Sequence, residues 1–198
     1  MNVASSRCML GSMLLSFCLM APALATAAAD WNVDQLMQSL AHAKPGRASF
    51  VEKKYIAMLD RPIESSGELS YSAPDRLEKR TAKPKPETMV VEGEVLVFER
   101  GARKHTVQLA EYPELAGFID SIRGTLAGDR KALERAFRLK LEGGPERWTL
   151  LLLPTDAKMA NTVHLIRIAG ARDNVRSIEV IQTDGDRSLM TIERVNAK

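Results

Sequence analysis

Cysteine is nearly absent: the 198 residues hold two, Cys8 and Cys18, both close to the N-terminus. The rest of the chain therefore has no disulfide, no redox pair and no thiolate metal centre. Histidine is equally sparse. His42, His105 and His164 are scattered, with no partner at ligand spacing, so no metal site is expected. There is no P-loop, no dinucleotide fingerprint and no G-x-S-x-G elbow, and no cofactor or catalytic residue is expected. Asp184 and Asp186 in "TDGDRS" lack the further oxygen ligands of a calcium loop, and Asp-Gly between strands reads as a hairpin turn. Basic and acidic residues number 28 and 25, a net charge of +3, and are interspersed. That balance excludes nucleic acid as the main partner.

The one long apolar run stands at the start. Arg7 precedes "CMLGSMLLSFCLMAPALA", and the small residues of "ATAAAD" follow. This is the layout of a secretory signal peptide. Residues 1–29 are expected to be removed before Asp30, leaving residues 30–198 as a single domain. Bulky Phe17 before Cys18 makes "LSFC" a poor lipidation signal. Cleavage removes both cysteines.

Beyond the signal, Val33, Leu36, Met37 and Leu40 form one apolar helical stripe. Asn32 and Gln35 are spaced as a capping box, and "KPGR" ends the helix. Six strand-like runs follow: "RASFVEKKYIAML", "GELSYSA", "DRLEKRTAK", "ETMVVEG", "EVLVFERG" and "KHTVQLA". Their short connections predict an antiparallel meander. In the second run Leu69 and Tyr71 share one face, with Glu68, Ser70 and Ser72 on the other. The period then changes: Leu115, Phe118, Ile119, Ile122 and Leu126 follow helical spacing between Pro113 and Gly128. Asp129 can cap a second short helix with Leu133, Ala136 and Phe137. The last five runs, "RLKLE", "RWTLLLLP", "VHLIRIAG", "VRSIEVIQTD" and "RSLMTIERV", are read as strands. The order is helix, six strands, two helices, five strands. The class is α+β, mainly β, with about eleven strands.

Apolar residues are plentiful for so little chemistry: "WTLLLLP" is apolar on both strand faces, and residues 112–137 add a Leu/Ile/Phe stripe. A packed core and a cavity under a helical lid bury the same side chains, and composition does not separate them.

"ASF" after the first helix, "GELSYSAPDRL" and "ETMVVEGEVLVFE" lie in an order that, with the central helix pair and terminal hairpins, resembles the LolA family of periplasmic outer-membrane lipoprotein carriers. The resemblance implies an unclosed antiparallel barrel whose concave apolar side is lidded by helices. It implies a periplasmic carrier that shields the acyl chains of a lipoprotein or lipid. Such a carrier, a monomer and not an enzyme, receives cargo from an inner-membrane transporter and passes it to an outer-membrane acceptor. Leu69, Tyr71, Met89, Val91, Leu96, Phe98, Leu115, Phe118, Ile119, Ile122 and Leu150 are the cavity-lining candidates, and a one-residue register slip would exchange faces. Lipoprotein-carrying members have Arg before the Pro of the second strand's corner, tying lid to sheet. Here Ala73 precedes Pro74, and Arg76 or Lys79 are the substitutes to consider. Without that latch the lid is expected to open more readily. The alternatives are a dedicated carrier for a non-lipoprotein lipid or polyene export system, and a lipoprotein sensor on the same fold.

Overall fold

The computed structural model describes residues 31–43 and 46–195. The expected signal peptide, its cleavage site before Asp30 and the Lys44–Pro45 pair lie outside the described residues. Helix α1 (Val33–Ala41) opens with the predicted capping box: Gln35 N donates to Asn32 Oδ1 and Asn32 N to Gln35 Oε1, both at 3.1 Å. Leu36, Met37 and Leu40 on its stripe are buried.

Strands β1 (Gly46–Tyr55), β2 (Ile63–Ser72), β3 (Arg76–Lys83), β4 (Glu87–Glu92), β5 (Val95–Arg100) and β6 (Arg103–Gln108) come next. A single 3₁₀ turn, Leu109–Glu111, leads into α2 (Pro113–Ala127) and α3 (Arg130–Glu134). The chain continues through β7 (Phe137–Gly144), β8 (Arg147–Pro154), α4 (Ala157–Thr162), β9 (Val163–Ala171), β10 (Asn174–Gln182) and β11 (Arg187–Arg194). Pro113 begins α2, where its missing N–H costs nothing, and Gly128 ends it in the left-handed region at φ 65°. A Cβ on Gly128 would also stand 2.2 Å from the Met37 carbonyl of α1, so this glycine permits the helices to meet.

All eleven strands among the described residues join one antiparallel sheet, ordered β6-β5-β4-β3-β2-β1-β11-β10-β9-β8-β7. Each strand lies beside a sequence neighbour; the one long-range pairing is β1 with β11, which joins the two meanders in a continuous register from Ala48↔Arg194 to Tyr55↔Arg187. The edge strands β6 and β7 do not meet, and the sheet is unclosed.

The structure departs from the sequence reading in several details. The second short helix, read with Ala136 and Phe137, ends at Glu134, and Phe137 instead opens β7, buried in the larger cluster. The β8–β9 connection holds helix α4, capped by Asp156 Oδ1, which accepts from the amides of Lys158 and Met159 at 3.0 and 3.1 Å. Six residues with only Met159 buried leave no helical periodicity to detect. The first strand, read as far as Leu59, ends at Tyr55. The chain turns at once, Leu59 N donating to Ile56 O at 2.8 Å, and the apolar residues there stay largely exposed.

The inward face carries two buried clusters. The larger packs α1, Leu133, Met159 and Phe137 onto Trp148, Leu150, Leu152, Ile166 and Ile168 of β8 and β9. The smaller joins Val91, Leu96, Leu109 and Ile119. Trp148 is fully buried, and its indole Nε1 donates to Arg172 O at 2.9 Å. Its ring lies against Gly170, where an added Cβ would fall 2.4 Å from the ring and 2.2 Å from Asn174 O. Gly170→Ala should therefore destabilise by roughly 1–3 kcal/mol, as overpacked sites do. Gly144→Ala, with no heavy atom within 4 Å of the new methyl, should cost less than about 0.5 kcal/mol. Urea denaturation checks the contrast, and equal midpoints would contradict this packing.

Candidate functional site

Between the two clusters, the middle of the sheet is not filled by side chains. A cavity of about 360 Å³ lies there, walled by β1–β4, β10 and β11 and roofed by α2. The pleat explains its chemistry. Cross-strand pairs Ala48↔Leu69, Tyr71↔Leu77, Lys79↔Met89 and Leu77↔Val91 share the inward face.

Of the residues proposed from sequence, Leu69, Tyr71, Met89 and Val91 line the wall, and Leu115, Phe118, Ile119 and Ile122 line the roof. Three stand elsewhere. Leu150 is fully buried in the larger cluster and Leu96 in the smaller. Phe98 shares the inward face, pairing with Met89, but lies at the far end of β5 with Arg100 stacked 5.3 Å from its ring centroid. The sequence reading omitted the opposite wall, Ile178 and Val180 of β10 with Met190 and Ile192 of β11. The alternation in "VRSIEVIQ" and "RSLMTIER" carried that signal.

It also omitted a charged pair in the wall. Glu52, 6% exposed, faces inward beside Phe50 and bonds Lys79 Nζ at 2.5 Å. Its carboxylate also accepts from Ser188 Oγ at 2.7 Å and Ser65 Oγ at 3.4 Å. Lys79 Nζ sits 4.8 Å from the Phe50 ring centroid, a favourable cation–π position. Burial pushes the Glu52 carboxyl up, but the charge and hydrogen bond of Lys79, the Ser188 hydroxyl and the charge of Lys54 outweigh it, and its pKa lies below the usual carboxylate range. Opposite charges at inward parity on the two strands that flank β2 were the signal available. Lys79 is thus committed to the sheet and does not reach the lid.

Nor does Arg76, which pairs with Glu92 at 2.7 Å and Glu78 at 3.3 Å on the outer face. Ala73 and Pro74 form the β2–β3 corner through a cis peptide, and the Pro74 carbonyl accepts from the Tyr71 hydroxyl at 3.0 Å. Burial and the nearby Asp75 raise the Tyr71 pKa, with Arg123 acting the other way.

The tie between lid and sheet comes instead from the helix. Arg123 of α2, 14% exposed, donates from Nη1 to the Gly93 carbonyl at 2.6 Å, in the β4–β5 turn. Its Nη2 bonds Asp120 Oδ1 at 2.5 Å and lies 3.8 Å from Glu94. The same turn accepts Leu109 N on Glu94 O at 2.9 Å, so it holds both the entrance and the middle of α2. An arginine directly after Ile122 of the apolar stripe was legible as a departure from pattern, though not its target. Among the described residues, no three His, Cys, Asp or Glu side chains converge as a metal site requires.

Two expectations follow. A charged hydrogen bond such as Arg123–Gly93 contributes about 1.5–3 kcal/mol. Arg123→Met should thus speed amide exchange in residues 113–127 by about ten- to a hundredfold, at about 1.4 kcal/mol per decade, with β7–β9 unchanged. Removing one member of the Glu52–Lys79 pair leaves a charge facing apolar wall. Glu52→Gln or Lys79→Met should each cost about 2–3 kcal/mol, and the double variant Glu52→Leu/Lys79→Met should recover most of it. Because Glu52 is depressed in the folded state, its stabilisation is present above the ordinary carboxylate range and is lost as pH falls through its lowered pKa. The stability gap between wild type and Glu52→Gln should accordingly narrow on acidification below that range; a gap constant with pH would contradict the pairing.

A family model described as outer membrane lipoprotein carrier protein LolA-like matches residues 25–194. No curated protein matches the chain. Similar solved structures include a LolA superfamily protein from Nitrosomonas europaea, 7% identical, with TM-score 0.42 over 84% of this chain and 94% of that one. A DUF1329 family protein from Desulfovibrio piger is 9% identical, with TM-score 0.46 over 81% and 88%. LprF from Mycobacterium bovis is 12% identical, with TM-score 0.36 over 81% and 91%. With its single unclosed sheet lying wholly inside the matched range, the chain belongs to the LolA-like family of outer membrane lipoprotein carrier proteins.

Proposed function

We propose that the protein is a periplasmic carrier that covers acyl chains of a lipid or lipoprotein beneath α2 and moves them between the inner and outer membranes. In this reading residues 1–29 direct export and residues 30–198 act as one domain. A transporter in the inner membrane supplies the cargo and an acceptor in the outer membrane receives it. The observation that carries the proposal is the cavity itself: apolar side chains of sheet and helix enclose about 360 Å³ that they do not fill.

The energetics suit a shuttle. Each CH₂ kept from water is worth about 0.8 kcal/mol, so a long chain gains much by entering, and contacts without direction let it slide out. The cavity volume is at the small end of the range for ligand sites, about 300–1,000 Å³. Cargo with more than one long chain therefore requires α2 to swing outward, against the Arg123–Gly93 bond.

Lipid extracted from protein purified from its native envelope, and identified by mass spectrometry, should be recovered chemically unchanged. Turnover to a hydrolysed product would instead indicate an enzyme. Leu69→Trp fills the wall opposite α2. Displacing two CH₂ groups of cargo costs about 1.6 kcal/mol, so the affinity for a fluorescent fatty acid should fall at least about tenfold. Unchanged affinity would place the ligand outside this cavity.

A further inference from the structure

The β1–β2 connection exposes apolar side chains that the cavity does not use. Met58 is 93% exposed, Leu59 50% and Ile63, the first residue of β2, 46%. Single exposed apolar residues are ordinary; three within six positions at the tip of a hairpin are not, because such connections are normally polar. The loop is held in place, its Ala57 amide donating to Asp186 Oδ1 at 2.9 Å in the β10–β11 turn.

Cations surround the tip. Arg61 lies in the same loop, and Lys83 and Lys85 flank the β3–β4 connection at the same end of the sheet. All three are exposed, and none has a carboxylate within ion-pair distance among the described residues. Asp60 in the loop and Asp184 and Asp186 in the neighbouring turn match these three cations in number. Glu64 and Glu87 are paired with Lys53 and Arg100, and exposed Lys54 leaves this end net positive by one. The cavity extends toward this end, where Lys54 and Ser188 form its lining.

We infer that this end of the sheet docks on an anionic bilayer surface, with Met58, Leu59 and Ile63 entering the interface and Arg61, Lys83 and Lys85 meeting lipid phosphates. Apolar tips with a basic rim bind membranes in this manner, by shallow burial and by attraction that salt screens. The cavity end lined by Lys54 and Ser188 then faces the membrane from which acyl chains are drawn. That last point rests on the carrier reading; the docking itself does not.

The test is co-sedimentation of the signal-free protein with vesicles of phosphatidylcholine, with and without phosphatidylglycerol. Wild type should bind the mixed vesicles, and more weakly as salt rises. Met58→Ser/Leu59→Ser should weaken binding at least about tenfold. Lys83→Glu/Lys85→Glu should weaken it by about fivefold or more per lysine, on the anionic vesicles alone. Both variants should retain wild-type affinity for a fluorescent fatty acid. Serine variants that bind vesicles as wild type does would overturn the inference. So would a wild type that ignores vesicles, including one whose tip captures a membrane protein instead. A wild type that binds vesicles but no fatty acid would support docking while refuting the carrier reading.

Discussion

The functional architecture depends on where α2 is held. It bears on both apolar clusters at once: Phe118 packs against each, Gly128 brings its C-terminus against α1, and Arg123 fastens its middle to the β4–β5 turn. A helix fixed at two separated cores bridges the strands between them without collapsing onto them. The β1–β11 pairing keeps those middle strands in one continuous wall. A cavity exists because the chain's packing is satisfied on either side of it.

That arrangement divides stability from function. The larger cluster, with Trp148, Leu150, Leu152, Ile166 and Ile168 almost wholly withdrawn from water, supplies burial of the kind that dominates folding. The cavity wall forgoes part of that gain, since its apolar groups face empty space and lose dispersion partners. In the proposed carrier, an acyl chain entering the cavity would restore those contacts. The Glu52–Lys79 pair fits the same division. It is costly to desolvate and adds little net stability against an apolar substitute, yet Ser65 and Ser188 satisfy its remaining oxygen sites, so the wall carries a fixed polar point within an apolar surface.

Much of the fold was legible in the sequence because its signals are local. Asn32 with Gln35, Asp129, Pro113 and Gly128 mark helix ends by capping chemistry, and each does so in the structure. Period-2 alternation placed Leu69 and Tyr71 on the cavity side. What local pattern did not reveal was distance. Leu150 and Met190 are both inward-facing strand residues, but the first is packed into the larger cluster and the second lines the cavity. The overrun of β1 has a physical source too: Ile56, Met58 and Leu59 are apolar and read as strand, while the turn and Asp186 pull the backbone away. Arg123 escaped notice because its partner is a backbone carbonyl, which no side-chain pattern announces.

The resemblance to lipoprotein carriers directed attention to the sheet, at Ala73, for a latch. In this chain the donor sits on α2 and the acceptor is the β4–β5 turn, so the bond runs in the reverse direction. The most direct measurement of the ligand's place is photo-crosslinking with a fatty acid that carries a diazirine along its chain, followed by peptide mapping. Adducts should fall on residues 69–71, 89–91, 115–122 and 188–192, which meet at the cavity. Adducts concentrated on the outer face of the sheet, around Arg167 and Arg187, or no adducts at all, would contradict an acyl-binding cavity beneath α2.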